Sequence, residues 1–365
     1  MKVALVHDWL IHMRGGERVL EALAELYPDA VIYTLFSNPD ALSPALKRMK
    51  IRNSFLQHLP GIRSYYRWLL PVLPWVIRTL HIPEADLVIS SSHCVAKGIR
   101  IPKGAKHLCY CHTPMRYLWG FEEVYFSRYP WIFRKMIAFI LKGLRHWDLQ
   151  TNRTVDLFIS NSENVRGRIR KFYERDAVVI YPPVDLQMFR PEGVPSDYYF
   201  VVSAFVPYKR VDIIIEAFNG LDRRLLIAGK GPLEKKYQNL RKSEKISFLG
   251  AVDDIALRRL YAEARAVLFP TLEDFGIVPL EAQACGTPVI AFGEGGALES
   301  VKTGFFFFEQ TAGALRQAVL DFEKQTWDRA GIPQKISGFD RNCFKTAIQN
   351  TADSVLRKYG NDTKA

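Results

Sequence analysis

Short apolar runs alternate along the first half of the chain with longer stretches in which apolar residues recur at helical spacing. The first run, Val3–Val6, is followed by a turn at Gly15 and Gly16 and by a helical pattern that continues to Leu26. Helical stretches separate most of the later runs as well. This alternation predicts a parallel sheet that is covered by helices on both faces. The further predicted strands are Val31–Thr34, Leu87–Ser90, Leu108–Cys111 and Leu157–Ser160.

The rhythm breaks at residues 181–200, a segment with four prolines and one glycine. This composition suits neither a helix nor a strand, and we interpret residues 181–195 as an interdomain hinge. A second series of strands and helices then begins. Its predicted strands are YYFVVSAF, RRLLIAGKG with its turn, KISFLG, RAVLFP and TPVIAF, and its predicted helices are KRVDIIIEAFNG and DDIALRRLYAEA.

The predicted architecture is α/β, with two Rossmann-like, doubly wound domains that face a central cleft. In pairs of such domains the carboxyl ends of both sheets can border one cleft, where ligands tend to bind. We expect a helical pattern at the end of the chain to pack back toward the first domain. The expected boundaries are 1–180 for the first domain, 181–195 for the hinge, 196–338 for the second domain and 339–365 for the C-terminal helix.

The composition of the chain is that of a globular protein with two cores, because 48% of its 365 residues are hydrophobic and 24% are charged. The first apolar run is too short for a signal peptide, and no uninterrupted apolar run is long enough to span a bilayer. The cysteines have no metal-like spacing, so we expect reduced thiols and a cytosolic location. They are Cys94, Cys109, Cys111, Cys285 and Cys343.

The net formal charge of +12 is concentrated in the first half of the chain. Residues 1–194 hold 27 Lys and Arg against 17 Asp and Glu, whereas residues 195–365 hold 23 against 21. A basic first half predicts an anionic partner, such as a membrane surface, a nucleic acid or a phosphorylated substrate. A nucleic-acid partner is disfavoured, because no recognised binding motif accompanies the charge.

The stretch TLEDFGIVPLEAQACGTPVIA, residues 271–291, joins the end of a strand to the start of a helix. Pro279 suits the first turn of that helix, because it lacks the amide that a helix start leaves unpaired. The backbone amides before it then point out of a helix amino end, which predicts an anion site, most simply for phosphate. These amides belong to Phe275, Gly276, Ile277 and Val278.

Three residues of this stretch have further predicted roles. Gly276 would let the backbone approach a ligand closely. Glu273, in the loop, would reach the group attached to the phosphate. Glu281, which we place in the first turn of the helix, would accept hydrogen bonds from vicinal hydroxyls such as a ribose diol, favoured by the helix dipole. The alternative is that both glutamates are ordinary helix-start acids.

A strand followed by EDFGIVPLEA and then CGTPVIA resembles the E-x7-E signature of the retaining glycosyltransferases of family 4, which have the two-domain GT-B fold. The resemblance covers essentially the whole chain. It is closest to the bacterial WbaZ-type mannosyltransferases of surface polysaccharide synthesis, in which YCHTPMRYLW and VVSAFVPYKRVD also have counterparts. It implies an acceptor-side first domain and a second domain that binds a nucleotide sugar.

The resemblance also implies roles for residues of the second domain. The family neutralises the donor's diphosphate with an arginine and a lysine, and Lys209 matches the lysine. The usual arginine position is occupied by Ala204, so Arg210 is the candidate replacement; a solvated pair at a helix start is the alternative. In the family, the turns that correspond to Gly229 and Gly250 line the nucleoside pocket.

In the first domain, Gly15 and Gly16 resemble the family's phosphate-facing glycine loop, with a plain turn as the alternative. The full dinucleotide fingerprint is absent. His112 is expected at the carboxyl end of a strand and matches the family's histidine that contacts the donor sugar and phosphate. A histidine that serves only packing is the alternative.

Two segments mix cationic with aromatic and aliphatic residues, IRSYYRWLLPVLPWVIRTL at 62–80 and YPWIFRKMIAFILKGLRHW at 129–147. Such segments can lie in a membrane interface with their cations toward anionic headgroups. Core packing with a solvated face is the alternative. We expect the protein to be cytoplasmic and peripheral on the inner face of the cell membrane.

The resemblance therefore implies a retaining glycosyltransferase without a metal or other cofactor. It would transfer a hexose, mannose from GDP-mannose by preference, onto a lipid-linked saccharide in surface polysaccharide synthesis. The catalytic candidates are Glu273, His112, Lys209 and Arg210. The alternatives are a glycosyltransferase that uses a UDP-sugar, a GT-B epimerase or phosphorylase, and a nucleotide-sugar-binding protein without catalysis.

Overall fold

The computed structural model describes residues 1–126 and 130–362, and within them the chain divides into two compact units. Unit 1 is Met1–Pro183 together with the C-terminal segment that begins at Asn342. Unit 2 is Val184–Arg341.

The sheet of unit 1 has, among the described residues, seven parallel strands: β1 Val3–His7, β2 Val31–Thr34, β3 Lys50–Asn53, β4 Leu87–Ser92, β5 Lys106–Cys111, β6 Leu157–Ser160 and β7 Ala177–Val179. Their order in the sheet is β3-β2-β1-β4-β5-β6-β7. Successive residues of β1 belong to opposite faces: Ala4 and Val6 pack in one core cluster and Leu5 in another. Both faces of the sheet are therefore buried at β1, which explains why this strand is almost continuously apolar.

Helices cover both faces of this sheet. The C-terminal helix contributes Phe344, Ile348, Ala352 and Val355, whose spacing makes one apolar stripe, to the cluster that contains Leu5. The chain thus returns to unit 1 after completing unit 2. The helices of unit 1 are α1 Gly15–Leu26, α2 Pro44–Lys47, α3 Ile62–Tyr65, α4 Leu73–Ile77, α5 Glu122–Phe126, α6 Trp131–Thr151 and α7 Glu163–Tyr173, and the C-terminal helix, α14, is Arg341–Asp362.

The sheet of unit 2 has six parallel strands among the described residues: β8 Tyr198–Val202, β9 Arg224–Ala228, β10 Ile246–Gly250, β11 Ala266–Phe269, β12 Val289–Phe292 and β13 Gly304–Phe307. Their order in the sheet is β10-β9-β8-β11-β12-β13. The helices are α8 Val211–Asn219, α9 Glu234–Leu240, α10 Asp254–Glu263, α11 Ile277–Ala284, α12 Ala297–Ser300 and α13 Ala312–Phe322. One face of the sheet packs against α8 and α13 through Ile214, Phe218, Leu315 and Val319.

Two α/β units, each with a parallel sheet, confirm the predicted fold class. Three strands were not predicted from the sequence: β3, β7 and β13. Each lies at an edge of its sheet, where one side of the strand has no neighbour and the alternation of buried side chains is weak. The apolar signal that predicted the central strands is missing in β3, Lys50–Asn53, whereas β7 and β13 are apolar but only three and four residues long.

The proline-rich segment predicted as a hinge is largely packed on unit 2. The ring of Phe189 lies 6.0 Å from that of Tyr261, and Glu192 forms an ion pair with Arg258 at 2.7 Å. The backbone of Val184 pairs with Asp340 at the point where the chain leaves unit 2. Bending within residues 181–195 stays a prediction.

Within residues 1–126 and 130–362, no helix is both long enough and apolar enough to cross a membrane. The thiols of Cys94, Cys109, Cys111 and Cys285 are buried and free, and that of Cys343 is exposed.

Candidate active site

Both sheets reverse their strand order next to the predicted site residues. The reversal lies between β1 and β4 in unit 1 and between β8 and β11 in unit 2. The loops that follow two such strands diverge to opposite faces, which leaves a crevice at the carboxyl ends of the strands. Lys209 follows β8 and Glu273 follows β11.

Lys209 and Glu273 line one hollow at the carboxyl ends of β8 and β11. The hydroxyl of Thr271 donates to the backbone carbonyl of Lys209 at 3.1 Å, which ties the two loops together. Val278, the second residue of α11, belongs to the same lining. The structure therefore brings together the predicted cation, the predicted sugar-facing carboxylate and the amino end of the predicted anion-binding helix.

The ammonium of Lys209 forms an ion pair with the carboxylate of Glu273. Both side chains are 21% exposed, so the pair is screened from most solvent but open to a ligand. The pairing was not predicted, because the two residues are 64 positions apart in the sequence. A diphosphate bound here would compete with Glu273 for the lysine.

Arg210 is directed to other partners. It has a left-handed backbone conformation, with φ of 51°, immediately before α8. Its Nε lies 3.3 Å from Asp212 Oδ1, and its Nη1 donates to Gln310 Oε1 at 3.0 Å. Gln310 in turn donates to the carbonyl of Pro270 at 2.7 Å. The guanidinium thus bridges α8 to the Gln310 loop, and the role of Arg210 as the second diphosphate cation stays a prediction.

Helix α11 begins at the predicted place. Ile277 is its first residue and Pro279 its third. The amides of Ile277 and Val278 have no acceptor within the helix, so they are directed out of its amino end. This agrees with the predicted anion site. Phe275 can contribute only its backbone, since its ring is buried and lies 6.0 Å from the ring of Phe339.

Gly276 has a structural reason of its own, and the close approach of its backbone to a ligand stays a prediction. Its φ is 100°, which favours glycine, and the position of a Cβ faces the protein. A Cβ there would lie 3.0 Å from Cζ of Phe269 and 3.2 Å from Oγ of Ser300. Gly276 therefore permits a sharp turn that packs tightly against the end of β11.

A second glycine turn, which was not predicted, holds the loop from the other side. The amide of Gly296 donates to the carbonyl of Glu273 at 2.9 Å. A Cβ on Gly295 would lie 2.6 Å from that oxygen, and one on Gly296 only 2.2 Å from Cα of Phe275. The sequence signal was the EGG that follows the predicted strand TPVIAF, a glycine turn at the carboxyl end of a parallel strand.

Glu281 is the fifth residue of α11, and its predicted place in the first turn is therefore wrong. The dipole effect is confined to the first turn and gives this carboxylate little stabilisation. The buried Tyr261 hydroxyl instead donates to Glu281 Oε2 at 3.0 Å. Burial and the charge of Glu281 raise the pKa of Tyr261 well above its usual value, so the tyrosine remains a donor.

The turns at Gly229 and Gly250 join the loop that leads to Lys209. The amide of Gly229 donates to the carbonyl of Gly250 at 2.7 Å, and the amide of Ser203 donates to that of Ala228 at 3.0 Å. Gly229 has a φ of 135°, and a Cβ on it would lie 1.8 Å from the carbonyl oxygen of Ser203. The structure thus places the two predicted nucleoside-lining turns beside each other and beside the loop after β8.

In unit 1, His112 lies just beyond the end of β5. Ser91 Oγ is 2.8 Å from His112 Nε2 and 3.1 Å from His7 Nδ1, so one hydroxyl connects the two rings. Burial, together with the neighbouring His93, lowers the pKa of His112 to about 3. Burial also lowers the pKa of His7 well below its usual value. Both imidazoles are neutral at neutral pH, and Nδ1 of His112 is the nitrogen that a ligand could contact.

Gly15 and Gly16 are the first two residues of α1, which corrects the predicted turn before a helix. A Cβ on Gly16 would lie 3.5 Å from His7 Cε1 and 3.6 Å from His112 Nε2, so this amino end adjoins both rings. The helix starts early because the carboxylate of Glu17 accepts a hydrogen bond from the amide of Arg14 at 3.1 Å.

Asp8 and His93 form a further pair that was not predicted. The fully buried carboxylate of Asp8 lies 3.0 Å from His93 Nδ1. It also accepts the backbone amides of residues 93–96 at 2.6–3.0 Å. The ring of His93 is partly exposed and lies 6.4 Å from that of His112. Asp8 thus fixes the turn after β4, at the strand-order reversal of unit 1.

Two family models match the chain. Residues 13–188 match "Glycosyltransferase Family 4", and residues 188–335 match "Glycosyl transferases group 1". An uncharacterized glycosyltransferase of Methanocaldococcus jannaschii is 32% identical over 171 residues, which are 45% of this chain and 48% of that protein. The D-inositol 3-phosphate glycosyltransferase of Mycobacteroides abscessus is 29% identical over 238 residues, 56% of this chain and 52% of that protein. The chain thus spans about half the length of the curated relatives it matches.

Solved structures share the fold over nearly the whole chain. Anabaena HepE, in complex with UDP and glucose, has a TM-score of 0.71 at 20% identity and covers 97% of this chain and 100% of its own. Sucrose-phosphate synthase from Thermosynechococcus elongatus has a TM-score of 0.68 at 19% identity, with coverage of 100% and 98%. The two family models, over residues 13–335 together, support a glycosyltransferase of the GT-B, family 4 type, and the solved structures share its fold.

Proposed function

We propose that the protein is a glycosyltransferase that moves a hexose from a nucleotide sugar to a hydroxyl of an acceptor. The observation that carries the proposal is the meeting of Lys209, Glu273 and the amino end of α11 in one hollow. A cation beside a helix amino end suits a diphosphate, and a carboxylate beside them suits the hydroxyls of the attached sugar. The activity for which the mycobacterial relative is named and the UDP and glucose bound to HepE agree with this substrate class.

The reaction breaks the bond between C1 of the hexose and the diphosphate oxygen and forms a bond between C1 and the acceptor oxygen. We propose that the acceptor attacks from the face that the diphosphate leaves, so the anomeric configuration is retained. The acceptor's proton passes to the departing phosphate oxygen. Lys209 balances the charge that develops on the diphosphate, and the amides of α11 add fixed dipoles.

The remaining predicted residues complete the binding of the donor. Glu273 orients the hexose, Glu281 holds the ribose, and His112 contacts the sugar or a phosphate through Nδ1. The turns at Gly229 and Gly250 border the nucleoside. Because Lys209 and the helix amides supply the positive charge, no metal ion has a role in this proposal, and turnover in excess EDTA should equal turnover without it.

We propose GDP-mannose as the donor and a lipid-linked saccharide as the acceptor, since the sequence resembles mannosyltransferases of surface polysaccharide synthesis. A UDP-sugar is the second candidate donor, because HepE was solved with UDP-glucose. The four buried free thiols, Cys94, Cys109, Cys111 and Cys285, favour a cytoplasmic location.

Thermal unfolding in the presence of GDP, UDP, ADP and their sugar derivatives tests the proposal. We expect GDP and GDP-mannose to raise the unfolding temperature of the wild type and, at the same concentration, to raise that of Lys209→Ala much less. Stabilisation by UDP-sugars alone would replace the proposed donor and leave the activity class intact. Stabilisation by none of these nucleotides would overturn the proposal.

Product analysis separates the remaining candidates. The anomeric configuration of the product, measured by proton NMR, should match that of the donor; inversion would exclude front-face attack. Conversion of a UDP-sugar without any acceptor would indicate an epimerase. Tight nucleotide-sugar binding without release of nucleoside diphosphate, across a panel of saccharide acceptors, would indicate a binding protein.

A further inference from the structure

Helix α6 is firmly attached to unit 1 along its second half. Leu141, Leu144, Asp148 and Thr151 are buried. The ammonium of Lys97, itself buried, lies 2.9 Å from Asp148 Oδ1 and donates to the hydroxyl of Thr151 at 2.6 Å. A buried ion pair of this kind needs fixed geometry to offset its loss of hydration. The second half of α6 is therefore a rigid base.

The first half of the same helix has a second apolar face, which is exposed. Ile132, Met136 and Phe139 are spaced i, i+4 and i+7, so they lie in one stripe. All three are more than half exposed, and Phe139 reaches 80%. Trp131 at the start of the helix is 65% exposed. We call Ile132, Met136, Phe139 and Trp131 the α6 stripe.

The α6 stripe is distinct from the face that packs on the core. Ile137 and Ile140 contact the core cluster together with Leu141 and Leu144. On a helix with about 3.6 residues per turn, the two sets lie on different sides of the axis. Packing within unit 1 therefore accounts for one apolar face of α6 and leaves the α6 stripe without a role in the fold.

The charge around the α6 stripe indicates what covers it. Residues 130–147 contain four Lys and Arg and no Asp or Glu. The ammonium of Lys135 lies 4.9 Å from the ring centre of Trp131, and Lys142 is one turn beyond Phe139 on the same side. Lysine is depleted in the cores of protein–protein interfaces, whereas apolar side chains flanked by lysine and tryptophan suit an anionic bilayer surface.

A second exposed aromatic group lies on the same unit. Trp68 and Trp75 are exposed, and the ring of Trp75 lies 5.6 Å from that of Phe55. Arg67 and Arg78 lie in the same segment. The helical segment is broken there into α3, the 3₁₀ turn Tyr66–Leu69 and α4. Of the predicted segment 129–147, Tyr129 lies outside the described residues.

We propose that the α6 stripe inserts into the headgroup region of an anionic bilayer and that Lys135 and Lys142 bind the lipid headgroups. The inference does not depend on the proposed glycosyltransferase activity, although a lipid-linked acceptor would be reached from such a position. An interfacial helix gains from buried apolar area and from attraction to anionic lipid at the same time. Removing either contribution should weaken binding.

Co-sedimentation with vesicles tests the proposal. We expect the wild type to bind vesicles of phosphatidylcholine with one third phosphatidylglycerol at low salt, and to bind pure phosphatidylcholine much less. The triple variant Ile132→Ser, Met136→Ser, Phe139→Ser should bind the anionic vesicles at least about tenfold more weakly, since each lost side chain removes apolar burial. The double variant Lys135→Glu, Lys142→Glu should lose the preference for anionic vesicles.

A triple variant on exposed apolar residues of unit 2, Val194→Ser, Ile255→Ser and Leu320→Ser, is the matched control and should bind as the wild type does. All replaced side chains are exposed, so circular dichroism and the unfolding temperature should show folded protein in every case. Two results with vesicles would overturn the proposal: no binding of the wild type to anionic vesicles, or undiminished binding of the α6 variant. A third contrary result would be a wild type that forms a dimer and does not bind vesicles, together with an α6 variant that is a monomer. None of these measurements uses catalytic activity.

Discussion

Lys209 and Glu273 form an ion pair between the loop after β8 and the loop after β11, at the strand-order reversal of unit 2. The lysine is thus neutralised by the residue that is proposed to orient the sugar. Donor binding must exchange this carboxylate for a diphosphate, which releases Glu273 toward the hexose. Formation of the sugar contact is therefore coupled to capture of the phosphates.

The coupling predicts opposite effects for the two residues. Lys209→Ala should weaken binding of the nucleoside diphosphate by about 2 kcal/mol, the usual contribution of a charged hydrogen bond. Glu273→Gln should strengthen it by up to about 1 kcal/mol, because the lysine no longer has a competing anion, while turnover falls at least tenfold. Isothermal titration with the nucleoside diphosphate and initial-rate assays measure the two effects. Weaker nucleotide binding in Glu273→Gln would contradict the coupling.

The sequence predicted the positions of these residues but not their pairing. Periodicity and the proline at 279 located the strand end and the start of α11, because both depend on local chemistry. The contact between Lys209 and Glu273 depends on which strands are neighbours in the sheet. That order is set by packing between segments far apart in the chain, and the local pattern of apolar and polar residues does not specify it.

The same distinction explains the residues that were missed. Asp8 directly follows β1, and its role appears only when β4 lies beside β1 and brings residues 93–96 to its carboxylate. The edge strand β3 was missed because Ile51 is its one apolar residue. Glu281 was placed in the first turn of α11, but because the helix begins at Ile277 this glutamate is its fifth residue and lies in the second turn.

Glu281 provides a test that is specific to the ribose. If its carboxylate binds the vicinal hydroxyls, the wild type should bind a nucleoside diphosphate more tightly than the 2′,3′-dideoxy form, by about 2 kcal/mol. Glu281→Ala should bind both forms equally and as weakly as the wild type binds the dideoxy form. Tyr261→Phe, which removes the hydrogen bond to Glu281, should show an intermediate preference. A full ribose preference in Glu281→Ala would remove the assignment.

Gly276→Ala tests whether the turn before α11 is fixed by backbone conformation. An alanine at a φ of 100°, with Cβ 3.0 Å from Phe269, should lower the free energy of unfolding by roughly 1–3 kcal/mol. It should also abolish nucleotide binding by moving the amides of Ile277 and Val278. Gly313→Ala is the control: this glycine lies in α13, and a Cβ on it would have no atom within 4 Å, so roughly 0.5–1 kcal/mol of stabilisation is expected. Urea denaturation measures both.

The buried histidines of unit 1 predict how stability depends on pH. Burial lowers the pKa of His107 to about 4, while its Nδ1–H donates to the carbonyl of Thr154 and its Nε2 accepts from Ser90. A folded-state pKa below the unfolded value of about 6.5 means that the unfolded chain binds more protons in between. The stabilisation is therefore complete above pH 6.5 and is lost as the pH falls toward 4.

His107 alone should cost roughly 2 kcal/mol of the free energy of unfolding between pH 6.5 and pH 5, since one pKa unit corresponds to about 1.4 kcal/mol. His7 and His112 should add to the loss in the same direction. His107→Asn should reduce the slope of the free energy of unfolding against pH by the equivalent of about one bound proton. Ser90→Ala removes only the hydrogen bond, so it should lower stability at every pH by a similar amount and keep the slope. Denaturation at a series of pH values measures these slopes, and an unchanged slope in His107→Asn would show that this imidazole is not held neutral by burial.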